Sequence, residues 1–265
     1  MSVPPSPPVP ASVVARLRAA GCVFAEDEAR LLVSTARSAT DLTAMVERRT
    51  EGLPLEHVLG WAEFCGLRIA VDPGVFVPRR RTEFLVRQAV DLARGTADPV
   101  VVDLCCGSGA LGAALVAATG ATEVYAADID PAAVRCARRN LAAADGHVYE
   151  GDLYDPLPDA LRGRVTVLLA NVPYVPTDAV GLLPPEARLH EPRVALDGGT
   201  DGLDVLRRVA TGAPHWLAPG GHLLVETSER QAPRAVDTVT ASGLTARVTS
   251  SEDLNATVVV GTLPG

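Results

Sequence analysis

From residue 98 onward, short apolar runs alternate with segments of helical period, and this alternation restricts the chain to an α/β fold around a largely parallel sheet. Val100–Leu104, Glu123–Ala127, His147–Glu150 and Val165–Ala170 read as the first four strands. A helix is expected at about Ala110–Ala118 and another at Pro131–Ala144, where the proline suits the first turn because its missing N–H would have no helical partner there. Asp201–Leu217 reads as a helix, Pro219-Gly220-Gly221 as a turn, His222–Glu226 as strand five and the stretch near Ala232–Ala241 as a further helix. Leu244–Thr249 and Thr257–Thr262, separated by residues 250–256, read as a closing antiparallel hairpin. The expected architecture is a mostly parallel seven-stranded sheet that ends in that hairpin.

The first third of the chain has a different rhythm. Residues 1–10 are rich in proline and read as a disordered or extended tail. From Ala11 to Arg49, apolar residues such as Val14, Leu17, Leu32, Val33, Met45 and Val46 recur at spacings of three and four, with Thr40 or Asp41 suited to an N-cap. A small helical domain over residues 11–59 follows, read either as a docking surface for a macromolecular substrate or as a lid that stabilises the main domain. Residues 60–83 change period: Phe64, Leu67, Ile69, Val71, Val75 and Val77, with the turn Asp72-Pro73-Gly74, predict a β-hairpin linker to the main domain at 84–265. The run Arg79-Arg80-Arg81 reads as a solvated helix start, with Thr82 as its cap and contact to an anionic ligand as the alternative.

Composition excludes some functions. A formal charge of −8 argues against sequence-blind nucleic-acid binding, which needs a positive field. No apolar run approaches the roughly 20 residues of a membrane span, and the N-terminus lacks the basic and apolar regions of a signal peptide. Five cysteines, an odd number without metal-type spacing, fit buried thiols in a reducing compartment. A cytoplasmic monomer without a metal is expected.

Two stretches carry chemistry. In Asp103-Leu104-Cys105-Cys106-Gly107-Ser108-Gly109, between the first strand and its helix, glycines let the backbone turn sharply and approach a ligand with no Cβ in the way. Asp128, at the carboxyl end of the second strand, is placed to hydrogen-bond a ribose diol, and Asp130 is a rival. Asp152 ends strand three, where an adenine amino group would need an acceptor. The spacing Gly107-X-Gly109-X-X-Gly112 also keeps a dinucleotide enzyme in view. The second stretch, Asn171-Val172-Pro173-Tyr174, follows the buried run Val165–Ala170. An amide or ring amino nitrogen is a poor nucleophile because its lone pair is delocalised. Held between the Asn171 Oδ1 and the Val172 carbonyl, with Tyr174 over its flat face, it would be presented in line to an electrophilic methyl group. Pro173 restrains Val172 to extended geometry and so aims that carbonyl.

The chain resembles the HemK/PrmC family of protein-(glutamine-N5) methyltransferases over roughly residues 53–262. The resemblance runs through Pro54-Leu55-Glu56-His57-Val58-Leu59-Gly60, Phe64-Cys65-Gly66-Leu67, Val77-Pro78-Arg79-Arg80-Arg81-Thr82-Glu83, both stretches above, and Glu191-Pro192-Arg193-Val194-Ala195-Leu196-Asp197-Gly198-Gly199-Thr200-Asp201-Gly202-Leu203. It implies a Rossmann-like class I methyltransferase that uses S-adenosylmethionine, with Asp103, Cys105, Gly107, Gly109, Asp128, Ile129, Asp152, Leu153 and Asn171 around the donor. It implies that Asn171, Val172, Pro173 and Tyr174 hold a glutamine of a protein substrate in translation, a release factor or ribosomal protein. There are departures. Val172 stands where the family usually has proline, Arg80 and Arg81 replace a proline and a commonly acidic or polar residue, and Cys105 and Cys106 replace small Thr/Ser residues. These suggest a divergent paralogue, and leave an adenine-N6 methyltransferase or an inactive cofactor-binding partner protein as alternatives.

Overall fold

The structure, a computed structural model, describes residues 9–94, 96–121 and 123–265; of the tail expected at residues 1–10, residues 1–8 lie outside that range. Four helices open the described chain: α1 (Ala11–Ala19), α2 (Ala25–Thr35), α3 (Ala39–Thr50) and α4 (Leu55–Leu59). They close on a core of their own around Leu17, Leu32, Val46 and Val58. The cap of α3 is Ser38 rather than Thr40 or Asp41, its Oγ accepting the Asp41 N–H at 3.1 Å.

β1 (Trp61–Phe64) and β2 (Leu67–Ala70) form the hairpin in the linker. Phe64 pairs with Leu67, so the tight turn is Cys65-Gly66, not Asp72-Pro73-Gly74. Both turn residues have positive φ, at 50° and 74°, the geometry that matches strand twist in a two-residue hairpin. The Asp-Pro-Gly signal makes a separate turn further on, where the Val75 N–H reaches the Asp72 carbonyl at 3.1 Å. A 3₁₀ turn at residues 80–82 leads into α5 (Glu83–Ala93). Thr82 precedes α5 without capping it, and its buried Oγ1 has no protein partner.

The large sheet is built from β3 (Val100–Leu104), β4 (Glu123–Asp128), β5 (His147–Glu150), β6 (Val165–Ala170), β7 (Leu217–Thr227), β8 (Thr245–Ser251) and β9 (Ala256–Thr262). Their spatial order is β5-β4-β3-β6-β7-β9-β8. The first five in sequence run parallel, and β9 pairs antiparallel with both β7 and β8. Helices α5, α6 (Ala110–Thr119) and α7 (Pro131–Leu141) pack on one face, and α9 (Asp204–Trp216) and α10 (Ala232–Ala241) on the other. With few aromatic residues, close approach of helix to sheet fills the core, and Gly112 of α6 donates its N–H to Asp103 Oδ2 of β3 at 3.1 Å.

β7 begins five residues earlier than expected, because Pro219-Gly220-Gly221 is an irregularity inside the strand: the register against β6 shifts between Val165 and Val167. A Cβ on Gly221 would lie 2.6 Å from the Val165 carbonyl oxygen, so only glycine lets the strand continue there. The chain fills one half of the sheet as β3, β4, β5, then returns to lay β6 beside β3. That reversal opens a crevice at the carboxyl ends of β3 and β6, the place where open α/β sheets bind ligands. Among the described residues no helix is long and apolar enough to cross a membrane.

Candidate active site

A cavity of about 420 Å³ lies at this crevice. Of the expected site residues, Cys105, Gly107, Asp128, Ile129, Asp152, Leu153, Asn171, Val172, Pro173 and Tyr174 line it. Asp103 and Gly109 do not. Asp103 is fully buried beneath the glycine turn, and burial pushes its carboxyl up to about 7. Gly109 stands at the N-terminus of α6 with φ 76°, where a Cβ would come 3.0 Å from the Cβ of Ala137 on α7. Both residues shape the turn from behind rather than face the cavity.

The turn from β3 to α6 is held to β4 by one side chain. The Asp128 carboxylate accepts the Gly107 N–H at 2.8 Å and the Asp130 N–H at 2.9 Å. Burial pushes the Asp128 carboxyl above its usual range, and those two backbone donors oppose the shift. Asp130 also lines the cavity, and its Oδ1 caps α7 by accepting the Ala132 N–H at 2.8 Å. Two non-glycine residues of the cavity wall, Cys105 at φ 53° and Leu153 at φ 51°, hold left-handed backbone, an uncommon conformation that clusters at ligand sites. Asp152 is oriented by Arg208 of α9, which donates to its Oδ2 at 2.7 Å. Arg208 was not foreseen; an arginine on a predicted helix gives no sign of which loop it will reach.

At the end of β6 the side-chain oxygen of Asn171 is buried without a hydrogen-bond partner. Such an orphan is costly unless a ligand completes it. Among the described residues no hydrogen bond uses the Val172 carbonyl. Both residues line the cavity. The corner is clamped by the glycine-rich loop after α8 (Pro185–His190). Val175 donates to the Leu196 carbonyl at 3.1 Å and accepts from Gly198 at 2.8 Å, and the Tyr174 carbonyl accepts from Gln231 Nε2 at 2.9 Å. A Cβ on Gly198 would fall 2.6 Å from the Pro173 carbonyl oxygen, and one on Gly202 2.3 Å from that of Tyr174.

The arginine run is solvated only in part: Arg80 is exposed, whereas Arg79 and Arg81 are paired. Arg79 donates to both oxygens of the buried Glu191, at 2.5 and 2.6 Å. Arg81 donates from Nε to Glu226 Oε1 at 3.0 Å and from Nη2 to the Tyr174 hydroxyl at 2.7 Å. Both arginines line the cavity. Their partners lie over 90 residues away in sequence, which is why spacing alone did not reveal them.

Sequence and fold are similar to those of known proteins. A family model described as "Methyltransferase small domain" matches residues 66–181. The chain is 37% identical over 219 residues to a release factor glutamine methyltransferase of Geobacter sulfurreducens, covering 82% of this chain and 75% of that protein. It is 39% identical over 189 residues to one of Streptomyces coelicolor, covering 71% of this chain and 67% of that protein. It is also 38% identical over 193 residues to a 4-amino-L-phenylalanine/4-methylamino-L-phenylalanine methyltransferase of Streptomyces pristinaespiralis, with 70% and 65% covered. Among solved structures, a methyltransferase from Pyrococcus furiosus has the same fold, with a TM-score of 0.54 at 14% identity, over 85% of this chain and 100% of that one.

Proposed function

The chain belongs to the HemK/PrmC family of protein-(glutamine-N5) methyltransferases, and from that premise we propose that it transfers a methyl group from S-adenosylmethionine to the side-chain amide nitrogen of a glutamine in a peptide release factor. The observation that carries this reading is that Asn171, whose buried Oδ1 has no hydrogen-bond partner, and Val172, whose carbonyl has none among the described residues, both line the cavity. A primary amide offers two N–H groups to two such acceptors.

S-adenosylmethionine, when bound, supplies a methyl group on a sulfonium. The residues present fit it: the glycine turn lets a ligand approach the backbone, Asp128, each of whose oxygens accepts one backbone N–H, keeps further lone pairs for a ribose diol, and the Asp152 carboxylate, steadied by Arg208, offers an acceptor to an adenine amino group. Ile129, 52% exposed on the cavity wall, supplies an apolar face for the base. Asn171 and Val172 orient the acceptor nitrogen before reaction, so no reorganisation is needed as charge shifts. Tyr174 shields the flat face of the amide from water. No dedicated base is needed, because the nitrogen's proton becomes acidic only after the methyl has moved. Helices α1–α4 serve as the docking platform for the acceptor protein, with Val23 and Phe24 presented to solvent at the α1–α2 turn.

A second reading keeps the chemistry and changes the acceptor to the aryl amine of a free amino acid, favoured by the similarity to the Streptomyces pristinaespiralis enzyme. An aryl amine likewise presents two N–H groups beside a flat face. The two separate when the full chain is incubated with labelled S-adenosylmethionine and either recombinant release factors or 4-amino-L-phenylalanine, and the product is read by mass spectrometry. Label on a release-factor glutamine is expected; label only on the amino acid would overturn the first reading. Asn171→Ala should abolish transfer and keep donor binding, whereas Asp128→Ala should weaken donor binding itself. Full activity in both variants would refute the site.

A further inference from the structure

We infer that Arg81 is a positioning residue of the acceptor corner, whose guanidinium fixes the Tyr174 ring by bridging its hydroxyl to Glu226. This deepens the proposed function and rests on its assignment of Tyr174 to the acceptor side.

Three groups close a triangle. Arg81 Nη2 donates to the Tyr174 hydroxyl at 2.7 Å, Arg81 Nε donates to Glu226 Oε1 at 3.0 Å, and the Tyr174 hydroxyl donates to the same Oε1 at 3.0 Å. Glu226 is only 2% exposed near the carboxyl end of β7, the strand beside β6. The ring is thus held from two directions: the sheet supplies Glu226 and the linker supplies Arg81. Burial and the Glu226 charge push the Tyr174 phenol far above its ordinary range, so it stays a neutral donor toward Glu226. The linker end is itself anchored, since the neighbouring Arg79 grips Glu191. The main chain of Tyr174 is fixed separately through Gln231. That bond leaves χ1 and χ2 of the ring free, and the Arg81–Glu226 pair is the polar grip on its far end.

Arg81 and Val172 both depart from the pattern the chain otherwise resembles, one at each end of the corner. Valine removes the ring that would lock φ at residue 172. Arginine adds a two-pronged donor at the other end, and its planar fork suits two fixed acceptors in a way that a lysine ammonium does not.

The competing account is that Arg81 merely neutralises a buried carboxylate. Two variants separate the accounts without stranding that charge: Arg81→Lys, which keeps the cation but not the fork, and Arg81→Gln/Glu226→Gln, which removes both charges. The chain has four tyrosines, so ring-labelled tyrosine gives few NMR signals, and Tyr174→Phe assigns the one of interest. In both variants the Tyr174 signal should shift and its ring should flip faster. The KM for the release factor should rise about tenfold, with donor affinity and kcat at saturating acceptor within about twofold, as expected when one charge-assisted hydrogen bond to a positioning ring is lost. An unchanged Tyr174 signal with an unchanged KM would show that Arg81 only balances charge. A wild-type chain that failed to methylate any release factor would sink the acceptor reading instead, and the ring signal would then decide the role of Arg81 alone.

Discussion

Replacing Gly202 by alanine tests whether the glycine loop holds the corner in place. Gly202 has φ 77°, and a Cβ there would lie 2.3 Å from the Tyr174 carbonyl oxygen and 2.4 Å from Gln231 Nε2. Gly220 has nearly the same φ, 76°, with nothing within 4 Å of the same atom. The two substitutions therefore share the cost of left-handed backbone, about 1–2 kcal/mol for an L-residue. Only Gly202→Ala adds overpacking against main chain, about 1–3 kcal/mol more. The expected loss of stability is about 2–5 kcal/mol for Gly202→Ala against about 1–2 kcal/mol for Gly220→Ala. Urea unfolding measures both, with unchanged m-values as the condition for comparing midpoints. The steric push also displaces the Tyr174 carbonyl from Gln231, so Gly202→Ala should raise the KM for the acceptor, and Gly220→Ala should leave it alone. Equal destabilisation by the two variants, with equal KM values, would refute the claim that this loop positions the corner.

Other variants probe charge. Asp103 holds its proton up to about pH 7 when folded, against an ordinary value of 3.8, so the folded chain binds more protons than the unfolded chain between those values. The stability present at low pH is therefore lost as pH rises toward 7, and Asp103→Asn should flatten that part of the stability–pH curve; equal slopes in urea unfolding would contradict the assignment. Arg49 is 9% exposed, donates from Nε to the equally buried Glu28 at 2.6 Å, and reaches Glu186 on the cavity rim at 2.7 Å. Arg49→Met strands a buried carboxylate and should cost about 3–5 kcal/mol, while Arg49→Met/Glu28→Leu should recover most of it. A single variant as stable as wild type in thermal unfolding would rule out a buried pair.

The sheet was legible because each buried strand is a short apolar run, and the parallel crossovers leave helical segments between them. Where a strand contains an irregularity, as β7 does at Pro219-Gly220-Gly221, the same residues read as a turn, since the signal for a break and for a bulge is the same local chemistry. The hairpin turn was misplaced for a related reason: Pro-Gly outweighs Cys-Gly on propensity, but strand pairing chose the latter. At the cavity, residues at strand ends could be foreseen from position alone. Arg81, Glu226 and Arg208 could not, because their partners are set by how distant segments meet.

The cavity wall has two kinds of construction. Its floor comes from the ends of adjacent strands, whose spacing is fixed by the sheet. Its rim comes from linker residues such as Phe76 and Arg79 and from residues 176–196, which join no strand of that sheet and are tied down by the isolated bridge of Val175 to Asp197, the Arg49–Glu186 contact and Arg79 on Glu191. Such a socket with a replaceable collar can exchange one guest for another by editing about twenty rim residues, while the grip on its reagent, built below, stays the same.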